Sequence, residues 1–367
     1  MGKKTDGQKW VLALLLIAVC AVALSRFPIF TLTLLLGLLL TYGCMVLHIL
    51  FHEAGHLIFG LLTGYRFSSF RIFSFMWLKI DGKLKFKRYS LAGTGGQCLM
   101  APPDLKDGKL PVFWYNMGGA ILNLLVAVLF LPGYWSDIPI VSLLCYLFAL
   151  TGFVTAALNG LPLRMGSVDN DGYNAVALAK NQSAKEAFWV QMKVAEQTAK
   201  GVRLRDMPEV WFTVPTEEAM KNSMVAARGV FACNRLMDME SFAAADKLMA
   251  QLLSIPSGMV GLHRSLLICD RLYIELIGEN RQEIVSSMLT KQQKKFMQTM
   301  RRFPSVLRTE YALALLLEKD SQRAEAILQD FEAVAKTYPY PQEIEAEREL
   351  LKKLEIASEF VYNDHIK

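Results

Sequence analysis

Leu47-His48-Ile49-Leu50-Phe51-His52-Glu53-Ala54-Gly55-His56-Leu57-Ile58-Phe59-Gly60-Leu61-Leu62 decides the reading of this chain. On an α-helix, residues four apart lie one turn above each other on the same face. His52 and His56 can therefore reach one zinc ion, and Glu53 is placed to take a proton from attacking water. The setting is as informative as the H-E-x-x-H motif. Between Phe30 and Tyr65 there is no Lys, Arg or Asp, and the only groups able to carry charge near neutral pH are His48, His52, Glu53 and His56. In a bilayer such groups cost several kcal/mol unless paired or metal-bound, so they mark a functional site. His48 sits one turn earlier and reads as a packing or supporting residue, because a hydrolytic zinc keeps one position open.

The surrounding composition agrees with a membrane setting. Of 367 residues 53% are hydrophobic, and the mean hydropathy of +0.27 is too high for an ordinary soluble protein of this size. Residues 10–64 and 112–161 carry most of the apolar character, while the chain beyond Pro162–Asn181 is charged. This shift divides a membrane-embedded half, residues 1–175, from a helical cytosolic domain, residues 184–367. A formal charge of +6 without a basic, aromatic-laced stripe argues against nucleic-acid binding. Cys20, Cys44, Cys98, Cys145, Cys233 and Cys269 are widely spaced and form no C-x-x-C, so they read as reduced hydrophobic residues.

A spanning helix needs ~20 apolar residues. Four spans are expected, at 10–25, 29–64, 112–131 and 138–161. The first follows Lys3, Lys4 and Lys9 like a signal peptide, but more apolar sequence follows at once, so a retained anchor is expected. The stretch 29–64 must tilt, protrude or break near Gly43. Nine basic residues crowd the connector 65–111, whereas the loop Pro132–Asp137 has none. That asymmetry places both termini and the connector in the cytosol of a multi-pass cell-membrane protein.

Within the connector, Phe67–Ile80 and Lys83–Tyr89 flank Asp81-Gly82, which predicts a β-hairpin over 67–89. It could be a plain connection or an edge strand for an extended substrate. Gly93-Thr94-Gly95-Gly96 lacks the Lys-Ser/Thr ending of a phosphate loop and reads as a turn.

A hydrolytic zinc needs a third protein ligand. The fourth span ends at Asn159-Gly160-Leu161-Pro162, where Pro162 stops the helix, and Asp169-Asn170-Asp171-Gly172 follows. With Gly118-Gly119-Ala120-Ile121-Leu122-Asn123 between the two, these ordered motifs resemble the site-2 protease family of intramembrane zinc metalloproteases, over about residues 44–175. The resemblance implies one zinc per chain held by His52, His56 and an aspartate that precedes glycine, with Glu53 activating water. Asp169 and Asp171 both compete for the third position, and Gly172 favours Asp171. It implies cleavage within or near transmembrane segments of membrane-held regulators or membrane-associated peptide precursors, with the lipid bilayer as surroundings. The Asn123 and Asn159 amides could hold an unwound substrate or the oxyanion, or equally bond helix to helix.

From Ala184 onward apolar residues recur at three and four spacing, with helices expected at Met224–Leu236, Ser241–Leu253, Leu262–Leu276, Glu310–Glu318 and Ser321–Thr337. An all-α bundle is expected; a tetratricopeptide-like solenoid is weakly patterned, since its prolines do not recur. This half could bind a protein partner or simply brace the membrane half. The expected fold class is thus an all-α polytopic membrane protein with a small β-hairpin insertion. Its rivals are a non-catalytic membrane scaffold of the same fold and a zinc protease merely tethered to the bilayer.

Overall fold

The computed structural model describes residues 25–26, 28–80, 82–89, 95–105, 108–165 and 168–364. The expected span 10–25 lies outside the described residues, all but its last. Helix α1, Pro28–Leu62, is one continuous helix of 35 residues. Gly43 does not break it. No proline follows Pro28 within it, and the Thr33 and Thr41 hydroxyls donate back to Ile29 O and Gly37 O, one turn earlier, without interrupting it. At ~1.5 Å per residue it is about 52 Å long. It stops at Gly64, whose φ of +88° suits a residue without a Cβ. There the Tyr65 N–H donates back to Gly60 O at 3.0 Å, closing a Schellman motif.

Helix α2, Val112–Phe130, continues as a 3-10 turn to Trp135, and α3, Pro139–Gly160, starts on a proline in its first turn. All three helices are long and apolar enough to cross a membrane. Their outward faces leave large apolar side chains such as Leu36, Leu39, Leu125, Leu129 and Ile140 exposed. Helices α1 and α2 meet backbone to backbone. A methyl group on Gly55 would collide with Gly118 O, and one on Gly118 would lie 2.6 Å from Gly55 O.

The expected hairpin is part of a larger element. Strands β1 (Arg66–Ile72), β2 (Phe75–Ile80), β3 (Lys83–Arg88) and β4 (Gly96–Ala101) form an antiparallel sheet in the order β3-β2-β1-β4. Lys83 pairs with Ile80 across the Asp81-Gly82 turn, as the sequence predicts. Two expectations are corrected. The run Phe67–Ile80 is not one strand but two, folded at Phe73, which takes φ +51°. Fourteen residues exceed the usual strand length, and the chain turns in mid-run without a glycine to announce it. Gly96 is likewise not a turn residue but opens β4. The fold is therefore mostly α with a four-stranded sheet, rather than all-α with a lone hairpin.

After α3, a two-residue ribbon pairs β5 (Arg164–Met165) with β6 (Val168–Asp169) and leads into α4, Asp171–Lys180. Asn181 caps the end of α4 and the start of α5, Gln182–Ala199, its Oδ1 accepting from Ala184 N–H at 3.0 Å. The helical half continues through α6 (Ser223–Asp238), α7 (Phe242–Ser254), α8 (Gly261–Ile277), α9 (Gln282–Met288), α10 (Lys291–Thr299), α11 (Pro304–Ala312), α12 (Ser321–Thr337) and α13 (Pro341–Asp364). All five expected helices are present. Glu310–Glu318 is the second half of a longer helix that passes into a π-turn at Leu313–Leu317.

The two halves share one core, which runs from Tyr65, Met100 and Tyr115 through Phe188 to Val230 and Tyr273. Polar contacts fasten the seam. Trp189 Nε1 donates to Pro103 O at 2.9 Å, Lys87 Nζ donates to Tyr338 O at 3.1 Å, and the Tyr89 and Tyr338 rings meet edge to face.

Candidate metal centre

Helix α1 presents His52 and His56 on one face, as their spacing requires. Helix α4 brings Asp171 to them from the other end of the membrane half. His52 Nε2 lies 2.9 Å from Asp171 Oδ2, His56 Nε2 lies 3.4 Å from the same oxygen, and the two Nε2 atoms are 3.2 Å apart. With bonds of ~2.0–2.1 Å, neighbouring ligands of a tetrahedral zinc stand about 3.3 Å apart. The three observed edges bracket that value. Three lone-pair atoms converging this closely need a shared cation or protons between them, and two imidazoles with a carboxylate form a donor set suited to zinc.

The tautomer of His56 is fixed from behind. Its Nδ1–H donates to Tyr115 O at 2.7 Å, which leaves Nε2 to face the cluster. The His52 ring lies against α2, where a methyl on Gly119 would come within 2.5 Å of its Nδ1 and Cε1. His52 Nδ1 is buried and accepts or donates no hydrogen bond among the described residues.

Asp171 owes its place to Asn170, which the sequence did not single out as functional. The buried Asn170 carboxamide uses both ends. Its Oδ1 accepts from Tyr173 N–H at 2.9 Å, capping α4, and from Leu163 N–H at 3.1 Å. Its Nδ2 donates to Leu158 O at 2.7 Å and Leu161 O at 2.6 Å, carbonyls freed where α3 stops. Gly172 then packs so closely on the end of α3 that a methyl there would collide with Gly160 O. The Asp-Gly pair thus has a steric cause. Burial pushes the Asp171 carboxyl up, but the His56 and His52 imidazoles outweigh it and hold the group below the usual carboxylate range. Asp169 lies apart and accepts from Ser223 Oγ at 2.7 Å.

Glu53 is buried on the next face of α1, outside the three-atom cluster. The start of β4 lies over it, where a methyl on Gly96 would come within 2.5 Å of its Cγ and Oε1. Arg71, only 1% exposed, donates to Phe73 O at 2.7 Å and to Gly96 O at 3.3 Å, and so fixes that strand end. Burial pulls the Arg71 guanidinium pKa down and the Glu53 carboxylate opposes the shift. Arg71 carried no sequence signal beyond its place in an alternating strand.

The remaining candidates are held within the bundle. His48 Nε2–H donates to Phe148 O at 2.8 Å, its Nδ1 lies 3.3 Å from Asn123 Oδ1, and Asn123 Nδ2 donates to Thr155 Oγ1 at 3.2 Å. The Asn159 Nδ2 donates to Thr155 O one turn back at 2.9 Å. Of the two sheet edges, β4 has its Cys98 carbonyl taken by Tyr115 Oη at 2.8 Å, while β3 is exposed and lysine-rich. Comparison with protein-family models, with curated proteins and with solved structures finds no match.

Proposed function

We propose that this chain is a zinc-dependent intramembrane endopeptidase of the site-2 protease type. The observation that carries the reading is the convergence of His52 Nε2, His56 Nε2 and Asp171 Oδ2, at tetrahedral spacing, on a helix whose outer face is apolar and uncovered. His52, His56 and Asp171 would hold the metal. A bound zinc supplies Lewis acidity, polarising a carbonyl and making water acidic near neutral pH. Glu53 accepts the proton of the attacking water and returns it to the leaving amine nitrogen as the C–N bond breaks. Arg71 and Gly96 hold the lid of β4 over that carboxylate, keeping bulk water from it. Substrates are helical membrane segments that unwind locally before attack.

The membrane reading places α1, α2 and α3 across the bilayer together with residues 10–25, with both termini cytosolic. Phe75, Leu84 and Phe86 are exposed on one face of β2 and β3, beside Lys79 and Arg88. Such a face suits the headgroup layer.

Zinc per chain in detergent-purified protein tests the site. About one equivalent is expected in wild type, in Glu53→Ala and in Asp169→Ala, and none in Asp171→Ala. A metal-free wild type, or zinc retained by Asp171→Ala, overturns the assignment. Co-expression with single-span membrane proteins tests the chemistry, and turnover surviving in Glu53→Ala would refute the role given to that residue. Cysteines at Leu50 and Leu61, both exposed along α1, separate a spanning helix from a tethered one. Full labelling of both by an aqueous thiol reagent favours tethering.

A further inference from the structure

The two faces of the four-stranded sheet have different neighbours. One is turned to α1 at its β4 end, where a methyl on Gly96 would strike Glu53 and one on Gly60 would strike Met100 Sδ. Alternation puts Cys98 on that same face, and the ladder continues it across the sheet through Phe70 and Trp77 to Phe86. The row outlasts its cover. Cys98 is buried, Phe70 and Trp77 are half-buried, and Phe75, Leu84 and Phe86 on the same face are exposed. The Phe75 and Phe86 rings stack, their centroids 6.0 Å apart. The opposite face is occupied, since Met76 and Leu78 are buried and Lys87 reaches Tyr338 O in the helical half. The uncovered aromatic row therefore lies on the side of the sheet that α1 occupies.

At the end of this row Arg88 holds its Cζ 5.5 Å from the Phe75 centroid and forms no ion pair among the described residues. It also lines a groove of about 550 Å3 between the sheet and helices α11 and α12. That volume is ordinary for a ligand site. Arg88, Arg301 and Arg302 face a single carboxylate there, Asp330, which is bonded to Arg301 at 3.0 Å. The wall around Arg88 is thus positive. A positive groove that shares a residue with an aromatic row on the membrane side is complementary to an anion carrying apolar chains. Aromatic rings settle at the level of lipid headgroups, and a guanidinium grips phosphate through paired N–H donors.

We propose that the groove binds the phosphate of an anionic phospholipid, with Arg88 as its principal donor, and that Phe75 and Phe86 hold the upper part of its chains. The site rests on the bilayer placement of α1, α2 and α3 but not on zinc or proteolysis. Cysteine labelling along α1 reads that placement and lipid titration reads the groove, so either can fail alone.

The test is native mass spectrometry of the full chain in an uncharged detergent, titrated with dihexanoylphosphatidylglycerol. One saturable site is expected, binding about tenfold or more tighter than dihexanoylphosphatidylcholine, whose headgroup carries a compensating cation. Arg88→Gln should weaken phosphatidylglycerol by about tenfold, because a charge-assisted hydrogen bond is lost, with unfolding still cooperative. Phe86→Ser should weaken both lipids and leave their ratio unchanged. Glycerol 1-phosphate, which has the phosphate without chains, should bind less tightly than the lipid; equal affinity would assign the groove to a soluble phosphate and overturn the lipid. Equal affinity for the two lipids, absence of saturable phosphatidylglycerol binding, or undiminished binding by Arg88→Gln also overturns the proposal. If that variant does not fold, the comparison of the three ligands decides alone.

Discussion

The Asn170 side chain is bonded to the carbonyl of Leu158, twelve residues earlier in the chain, at 2.7 Å. Asp171, the neighbour of Asn170, therefore reaches the two histidines only because α4 is pinned to the frayed end of α3.

Asn170→Asp tests that dependence. The isosteric carboxylate keeps the acceptor for Tyr173 and Leu163 but loses the donor to Leu158 O and Leu161 O, and it sets negative charge against both carbonyls. Leaving such groups unsatisfied costs about 1–3 kcal/mol each. Zinc content should fall together with the melting temperature, and a variant that binds metal normally would separate the cap from the site.

Gly119→Ala isolates the His52 ring. Alanine favours a helix by ~1 kcal/mol over glycine. Here its methyl would lie within 2.5 Å of His52 Nδ1 and Cε1, so the imidazole must move. Zinc occupancy is expected to drop sharply with a change of less than about 2 kcal/mol in stability, since overpacking and propensity oppose each other. Equal losses of both would instead mean that α1 and α2 had come apart.

Glu343 gives a pH signature. Its folded-state pKa of about 7 stands above its ordinary value of 4.5, so the folded chain holds that proton more tightly than the unfolded chain. Wild-type stability should therefore decline as pH rises from about 4.5 to 7, relative to a chain without the group. Glu343→Gln should be more stable than wild type by about 1–3 kcal/mol above neutrality and equal to it below about pH 4.5. Denaturant titrations at pH 5 and pH 8 read the difference.

Arg308 binds Asp270 and Glu347 while lying over the Tyr273 ring, its Cζ 4.5 Å from the centroid. Arg308→Met leaves the buried Asp270 and the half-buried Glu347 without their cation and should cost about 3–5 kcal/mol. Adding Asp270→Asn and Glu347→Gln to the same variant should restore much of that loss. Urea unfolding of the three-fold variant, if no more stable than Arg308→Met, would show that the guanidinium acts through packing on Tyr273 instead.

The parts of this molecule that follow from periodicity are legible in the sequence. His52 and His56 share a face because four residues make a turn, and the helices at 223–238, 242–254 and 261–277 follow from their apolar spacing. What long-range packing decides is not legible. Nothing before Phe73 announces the positive φ that folds one predicted strand into two. The choice of Asp171 over Asp169 rests on which residue Asn170 presents, and on the collision that keeps a side chain off Gly172. Asp270, Arg308 and Glu343 line one cavity assembled from five helices scattered over some 150 residues, and no local pattern joins them.

One residue, Asn181, separates the helix that begins with Asp171 from the helix that docks on the sheet and carries the helical half. Any ion gripped by His52, His56 and Asp171 thus ties α1 to the root of that half and acts as a rivet across the whole chain. Linkage makes the rivet reciprocal. A partner that levers the helical half off the sheet must loosen the ion by the same factor, and an ion that binds must resist the lever equally. Occupancy of the metal centre and purchase on the distal helices are then two readings of a single mechanical strain.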